Sequence, residues 1–189
     1  MKYFLALVVS FVCTASAMVC AQTAASSAPA AATGPTKDPV ATSLRALLPR
    51  SRNNTIGAIT AMPPDKFNYK PTPDQMTFAH LVVHIAETNY FLCSKAADVA
   101  APKVDELKET DSKDKMLAAA TASFDFCNDA LSKMDDSKLG DTVEFFGGRK
   151  FPRAMGALFL AGSWADHYAA AAQDLRLNGI LPPSAQPKK

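Results

Sequence analysis

The chain has no Cys-x-x-Cys, no internal repeat, no charge excess of one sign and only three histidines. Each scarcity excludes something. Without Cys-x-x-Cys, a thioredoxin-like redox role has no motif to carry it. Without a repeat, a solenoid has no repeating unit. The formal charge is only +2, and its basic residues are scattered apart from Lys188-Lys189. No basic patch offers an electrostatic footprint for nucleic acid, so no nucleic-acid partner is expected.

Long apolar runs are also scarce. The longest, Phe4 to Cys13, is interrupted only by Ser10. It falls short of the roughly 20 residues a membrane helix needs. With Lys2 before it and the small residues Ala15-Ser16-Ala17 and Val19-Cys20-Ala21 after it, it reads as a secretory signal over residues 1–21. Cleavage there leaves no stable membrane insertion and a periplasmic or secreted product. Two other readings stay open: an uncleaved anchor, and a lipid anchor at Cys20, for which Met18-Val19 is a poor lead-in. Residues 22–37 are mostly Ala, Ser, Thr and Pro without apolar periodicity, the composition of a disordered tether.

Loss of the signal leaves Cys93 and Cys127. Export favours a disulfide between them, joining two helices. Two buried free thiols are the alternative.

From residue 38 to 184 the apolar residues recur at helical spacing. Val40, Leu44, Leu47, Leu48, Ile56 and Ile59 predict a first helix over about 39–61, kinked or split at Pro49. Met76, Phe78, Leu81, Val82, Ile85, Phe91 and Leu92 predict a second, from about Pro73-Asp74 to Val99. Met116, Leu117, Ala120, Phe124 and Leu131 predict a third over about 112–133, capped by Asp111 or Ser112. The fourth runs from Pro152 to Asn178, where Gly179 and Pro182-Pro183 stop it. Residues 139–151 are a turn-rich connection, briefly extended at Val143–Phe146, and residues 185–189 a tail. Four helices without a convincing sheet predict an all-α, antiparallel four-helix bundle.

The histidines sit on two of these helices. His80 and His84 lie one turn apart on the second, and His167 follows Ser163 by one turn on the fourth. Histidines at i, i+4 can offer two imidazoles to one metal. Interior histidines bonded to one another, to Ser163 or to water are the alternative. Glu87, one turn after His84, is a candidate base or orienting group, and otherwise a solvated helix-face charge. Trp164 and Tyr168 read as packing residues. Arg176 suits the negative end of its helix.

Four stretches together resemble the DinB-like four-helix bundles: Met62–Pro71, Phe78–Glu87, Gly147-Gly148, and His167 through Pro183. The resemblance spans about 38–184. It implies a divalent metal (zinc, nickel or manganese) held by one histidine on helix two and a His-x-x-x-His pair on helix four. By position these are His84, residue 163 and His167, and residue 163 is serine. A hydroxyl is a poor replacement for imidazole on such metals. His80 is the better substitute ligand, because Asp166 points about 100° away from His167 around the helix.

The resemblance also implies metal-assisted transfer of a low-molecular-weight thiol, or hydrolysis. In such chemistry the metal lowers the thiol pKa and presents a thiolate. The competing expectation is a non-catalytic exported bundle that binds a small molecule or a partner around a degenerate site. Some relatives are dimeric, so a homodimer is a candidate assembly.

Overall fold

The computed structural model describes residues 34–187; the signal and most of the tether expected from the sequence lie outside the described residues. Four helices account for most of the described chain: α1 Pro39–Ala61, α2 Phe78–Ala97, α3 Lys113–Ser132 and α4 Arg153–Leu177. The all-α expectation holds. α1 and α2 each pack against both α3 and α4. The chain neighbours α1 and α2 therefore lie across the bundle from one another, and residues 62–77 cross between them. No helix among the described residues is long and apolar enough to cross a membrane.

Two boundaries differ from expectation for identifiable reasons. α1 is one continuous helix with Pro49 inside it and is not split. Packing of Leu44, Leu48, Ala58 and Ile59 into the common core, on both sides of the proline, holds it together. α2 begins at Phe78, not near Pro73. Pro71 and Pro73 disfavour helix before them, and the Thr77 hydroxyl accepts the His80 backbone N–H at 2.9 Å, fixing the start as an N-cap. Of the two caps proposed for α3, Ser112 serves, accepting from the Lys115 N–H at 3.3 Å.

The connection before α4 folds further than the sequence indicated. Thr142–Glu144 (β1) and Lys150–Pro152 (β2) pair as a two-stranded antiparallel ribbon. Gly147 and Gly148 take positive φ (63° and 74°) in its turn, where a side chain would be strained. Phe145 at its base is buried against Phe151 and Phe159.

The start of α1 is capped from far away. Asp38 gives no side-chain cap. Instead the Asp136 carboxylate accepts the N–H groups of Val40 (2.8 Å) and Ala41 (2.9 Å). An anion at a helix N-terminus is favoured by both free donors and dipole.

The core contains Phe78, Phe124, Met62, Ile59, Leu160 and Leu175, all fully buried. Cys93 on α2 and Cys127 on α3 are joined as a disulfide, with Cα atoms 5.3 Å apart. Closing a loop of this length contributes about 4 kcal/mol in the chain-entropy account.

One polar group sits deep in this core. Asn89, 2% exposed, donates its amide N–H to Ser123 Oγ of α3 at 3.0 Å. Its carbonyl oxygen accepts the indole N–H of Trp164 on α4 at 2.9 Å. Three helices thus meet at one amide. Asn89→Ala leaves one buried donor, the Trp164 indole N–H, and one buried acceptor, Ser123 Oγ, short of partners and opens a small void, and should cost about 2–4 kcal/mol. Urea unfolding measures this, and a loss below about 1 kcal/mol would show that the amide does not organise the core.

Candidate functional site

α2 and α4 present one histidine each to the same place. Their packing through Asn89 and Trp164 sets the two helices in register, five residues along α2 from His84 and three along α4 from His167. The imidazoles of His84 and His167 meet edge to face, with ring centroids 4.8 Å apart and planes at 70°. His167 Nδ1 lies 3.2 Å from the Ser163 hydroxyl, one turn earlier on α4. His84 Nε2 lies 3.5 Å from the Thr88 hydroxyl. Burial, followed by the neighbouring His84, pushes the His167 pKa down to about 4, against the opposing influence of Asp166. His167 is therefore neutral at pH 7, with a ring nitrogen free to accept or ligate.

The pair opens into a cleft of about 430 Å³ between α2, α4 and the loop before α2. Asp174 lies along the same wall, seven residues beyond His167 and hence on the same face of α4. It is only 5% exposed, and burial raises its pKa to about 6.

His80 is not brought to this place. It is exposed in the first turn of α2, and its Nδ1 lies 2.7 Å from Glu109 Oε1. The Thr77 hydroxyl donates to the other oxygen of Glu109 at 2.8 Å. The hydrogen bond from His80, then that from Thr77, holds the Glu109 carboxyl below its usual range. Glu87 is exposed and forms no hydrogen bond with His84, which fits the solvated reading. Trp164 packs in the core, and Tyr168 donates to the Ser184 hydroxyl at 2.6 Å.

Two residues that matter here escaped the sequence reading. Asn89 sits inside an apolar stripe, and Asp174 resembles an ordinary acid near a helix end. Their faces were the available signals: Asp174 shares that of His167, and Asn89 falls between the buried positions Ile85 and Leu92.

The donor set can be weighed against the metal that the resemblance implies. Two imidazoles converge, each with one hydroxyl beside it, Ser163 at His167 and Thr88 at His84. Among the described residues no group of three or more His, Cys, Asp or Glu side chains is arranged to hold a metal ion. A catalytic zinc site uses three protein ligands and one open position. These residues do not fit such a centre.

An all-α bundle with paired histidines facing across two of its helices defines the class. The chain matches the DinB superfamily model over residues 47–171, a span that contains His84, Ser163 and His167. It belongs to that superfamily. Its fold is similar to that of a DinB-like protein from Bacillus cereus, with TM-score 0.61 and 16% identity over 75% of this chain and 95% of the other. A DinB-like protein from Bacillus subtilis is similar at TM-score 0.60 and 17% identity, over 77% and 99% of the two chains. At these identities the likeness establishes a shared fold. No curated protein matches the chain.

The two perturbed groups act on stability in opposite directions. Between about pH 4 and 6.5 the unfolded chain protonates His167 and the folded chain does not, so this group makes stability rise with pH. Between about pH 4 and 6 folded Asp174 keeps a proton that the unfolded chain releases, so this group makes stability fall with pH. Asp174→Asn should gain stability over the parent progressively from about pH 4 to 6 and then level off. His167→Asn should lose ground over about pH 4 to 6.5. Urea unfolding at several pH values measures both, and pH-independent differences would contradict the assignment.

Proposed function

We propose that the chain is an exported, non-catalytic binding bundle of the DinB superfamily. In this reading it has kept the histidine cleft and lost the metal-borne reaction. The observation that carries the reading is Ser163. A hydroxyl stands where the family's third imidazole is expected, and it hydrogen-bonds His167 at 3.2 Å. His80, the substitute ligand, is engaged with Glu109 instead. The cleft volume of about 430 Å³ suits a small molecule. The residues beside it carry imidazoles, amides and carboxyls, which can orient a ligand by hydrogen bonding.

A metal-dependent thiol transferase is the second reading. What favours it is that His84 and His167 do meet, at 4.8 Å between ring centroids. Two imidazoles alone hold a divalent ion weakly. Export also argues against it, because such thiols are scarce outside the cytoplasm.

Metal content separates the two. Untagged protein recovered from the periplasm is analysed by mass spectrometry, beside His84→Ala and His167→Ala. The binding-bundle reading expects far less than one metal per chain in all three, with the fold retained on circular dichroism. Near-stoichiometric metal, lost in both variants, would establish the transferase-type site instead. The N-terminus of the same material should begin after Ala21. Protein starting at Met1 in the cytoplasm would refute export.

A further inference from the structure

Asp174 is a costly residue where it stands. It is 95% buried by its 5% exposure, and no hydrogen-bond donor or cation among the described residues pairs with its carboxylate. Burial is the sole cause of its raised pKa, so no neighbouring charge offsets it. It also lies near the C-terminal end of α4, the negative end of the helix dipole. An unpaired buried carboxylate is destabilising there unless something that binds the site compensates it. The carboxylate is not sealed in the core: it lines the cleft.

The rest of the cleft has the same sign. Asp74 and Asp166 also line it, neither forms an ion pair among the described residues, and no lysine or arginine is part of the lining. We propose that the cleft between α2 and α4 binds an organic ammonium ion, a linear di- or triamine, with Asp174 as the buried counter-charge for one end. This rests on the binding-bundle reading above and names its ligand class.

Geometry selects an elongated cation over a metal ion. Asp166 and Asp174 are eight residues apart on one helix, about 12 Å along its axis. One ion cannot contact both, since oxygen ligands sit within about 2.6 Å of a divalent metal. Amines spaced along a methylene chain can reach both. In the same lining, Met76, Leu81 and Ala170 offer apolar surface for methylenes, and Gln75 and Gln173 offer amide oxygens for N–H groups. The ammonium gains most at Asp174, where water is largely excluded.

The test is isothermal titration calorimetry at pH 7.5 on the full mature chain. Spermidine and 1,8-diaminooctane are the ligands, with octanoate and magnesium as controls. Both amines should bind at least about 10-fold more tightly than either control. Asp174→Asn should weaken them about 10-fold or more, being isosteric but uncharged. Ala170→Trp fills the cleft from an exposed helix position while keeping the Asp174 side chain, and should abolish binding. It serves if the Asp174 variant does not fold. Amine affinity no better than that of octanoate or magnesium overturns the proposal, as does unchanged affinity in the variants. Metal content is read on the same preparation. Metal-free protein that ignores amines defeats this proposal alone, and metal-loaded protein that binds them defeats the non-catalytic reading alone.

Discussion

Asn89 holds the relationship among three helices. Its amide takes the Trp164 indole N–H with one end and gives an N–H to Ser123 with the other, both fully inside the core. Apolar contacts alone tolerate a helix sliding by part of a turn, because one aliphatic surface packs against another with little directional demand. Two directional bonds from one buried side chain do not tolerate it, since a slip leaves a donor unpaired. Fixing α4 against α2 in this way fixes His167 opposite His84. The disulfide between Cys93 and Cys127 ties α3 to α2 one turn beyond the same asparagine. The histidine cleft is the consequence of a register set elsewhere.

That cleft holds the groups least useful to folding. His167 is kept neutral by burial, Asp174 is buried without a partner, and Asp74 and Asp166 add charge of one sign to the rim. Elsewhere among the described residues most polar groups are paired, the buried Arg153 Nε excepted. Asp136 caps α1, Arg153 meets Asp98 at 2.9 Å and the Lys95 carbonyl at 2.7 Å, and Lys113 donates to two carbonyls at the end of α1. The contrast supports the proposed binding role of the cleft, because stability is given up in proteins mainly where binding or chemistry requires it.

Much of this was legible in the residues. The 3.6-residue apolar period, the Ser112 cap and the Gly179 stop mark their helices. Gly179 takes φ 74°, and the Ile180 N–H bonds back to the Leu175 carbonyl at 2.9 Å. The meeting of His84 and His167 followed from the resemblance, not from the spacing. What stayed hidden depends on contacts between distant segments. His80 looked available because it lies one turn from His84. The loop carrying Glu109 folds back over the start of α2 and engages it, and no local pattern announces that return. The ribbon before α4 was visible only as one short extended stretch, since three-residue strands carry little periodicity. Pro49 suggested a break, and tertiary packing overrode its local preference.

In the proposed binding bundle Ser163 stands in place of the third ligand and the metal centre is lost, while the two remaining histidines still face each other. This loss is tested most directly by the zinc affinity of the parent protein and of Ser163→His, measured by competition with a chromophoric chelator. Restoring an imidazole at residue 163 should complete a three-histidine site and tighten zinc binding by at least about 100-fold, consistent with the value of a full ligand set. Equal and tight binding by the two proteins would contradict the account, because it would mean that serine and the two histidines already hold the metal.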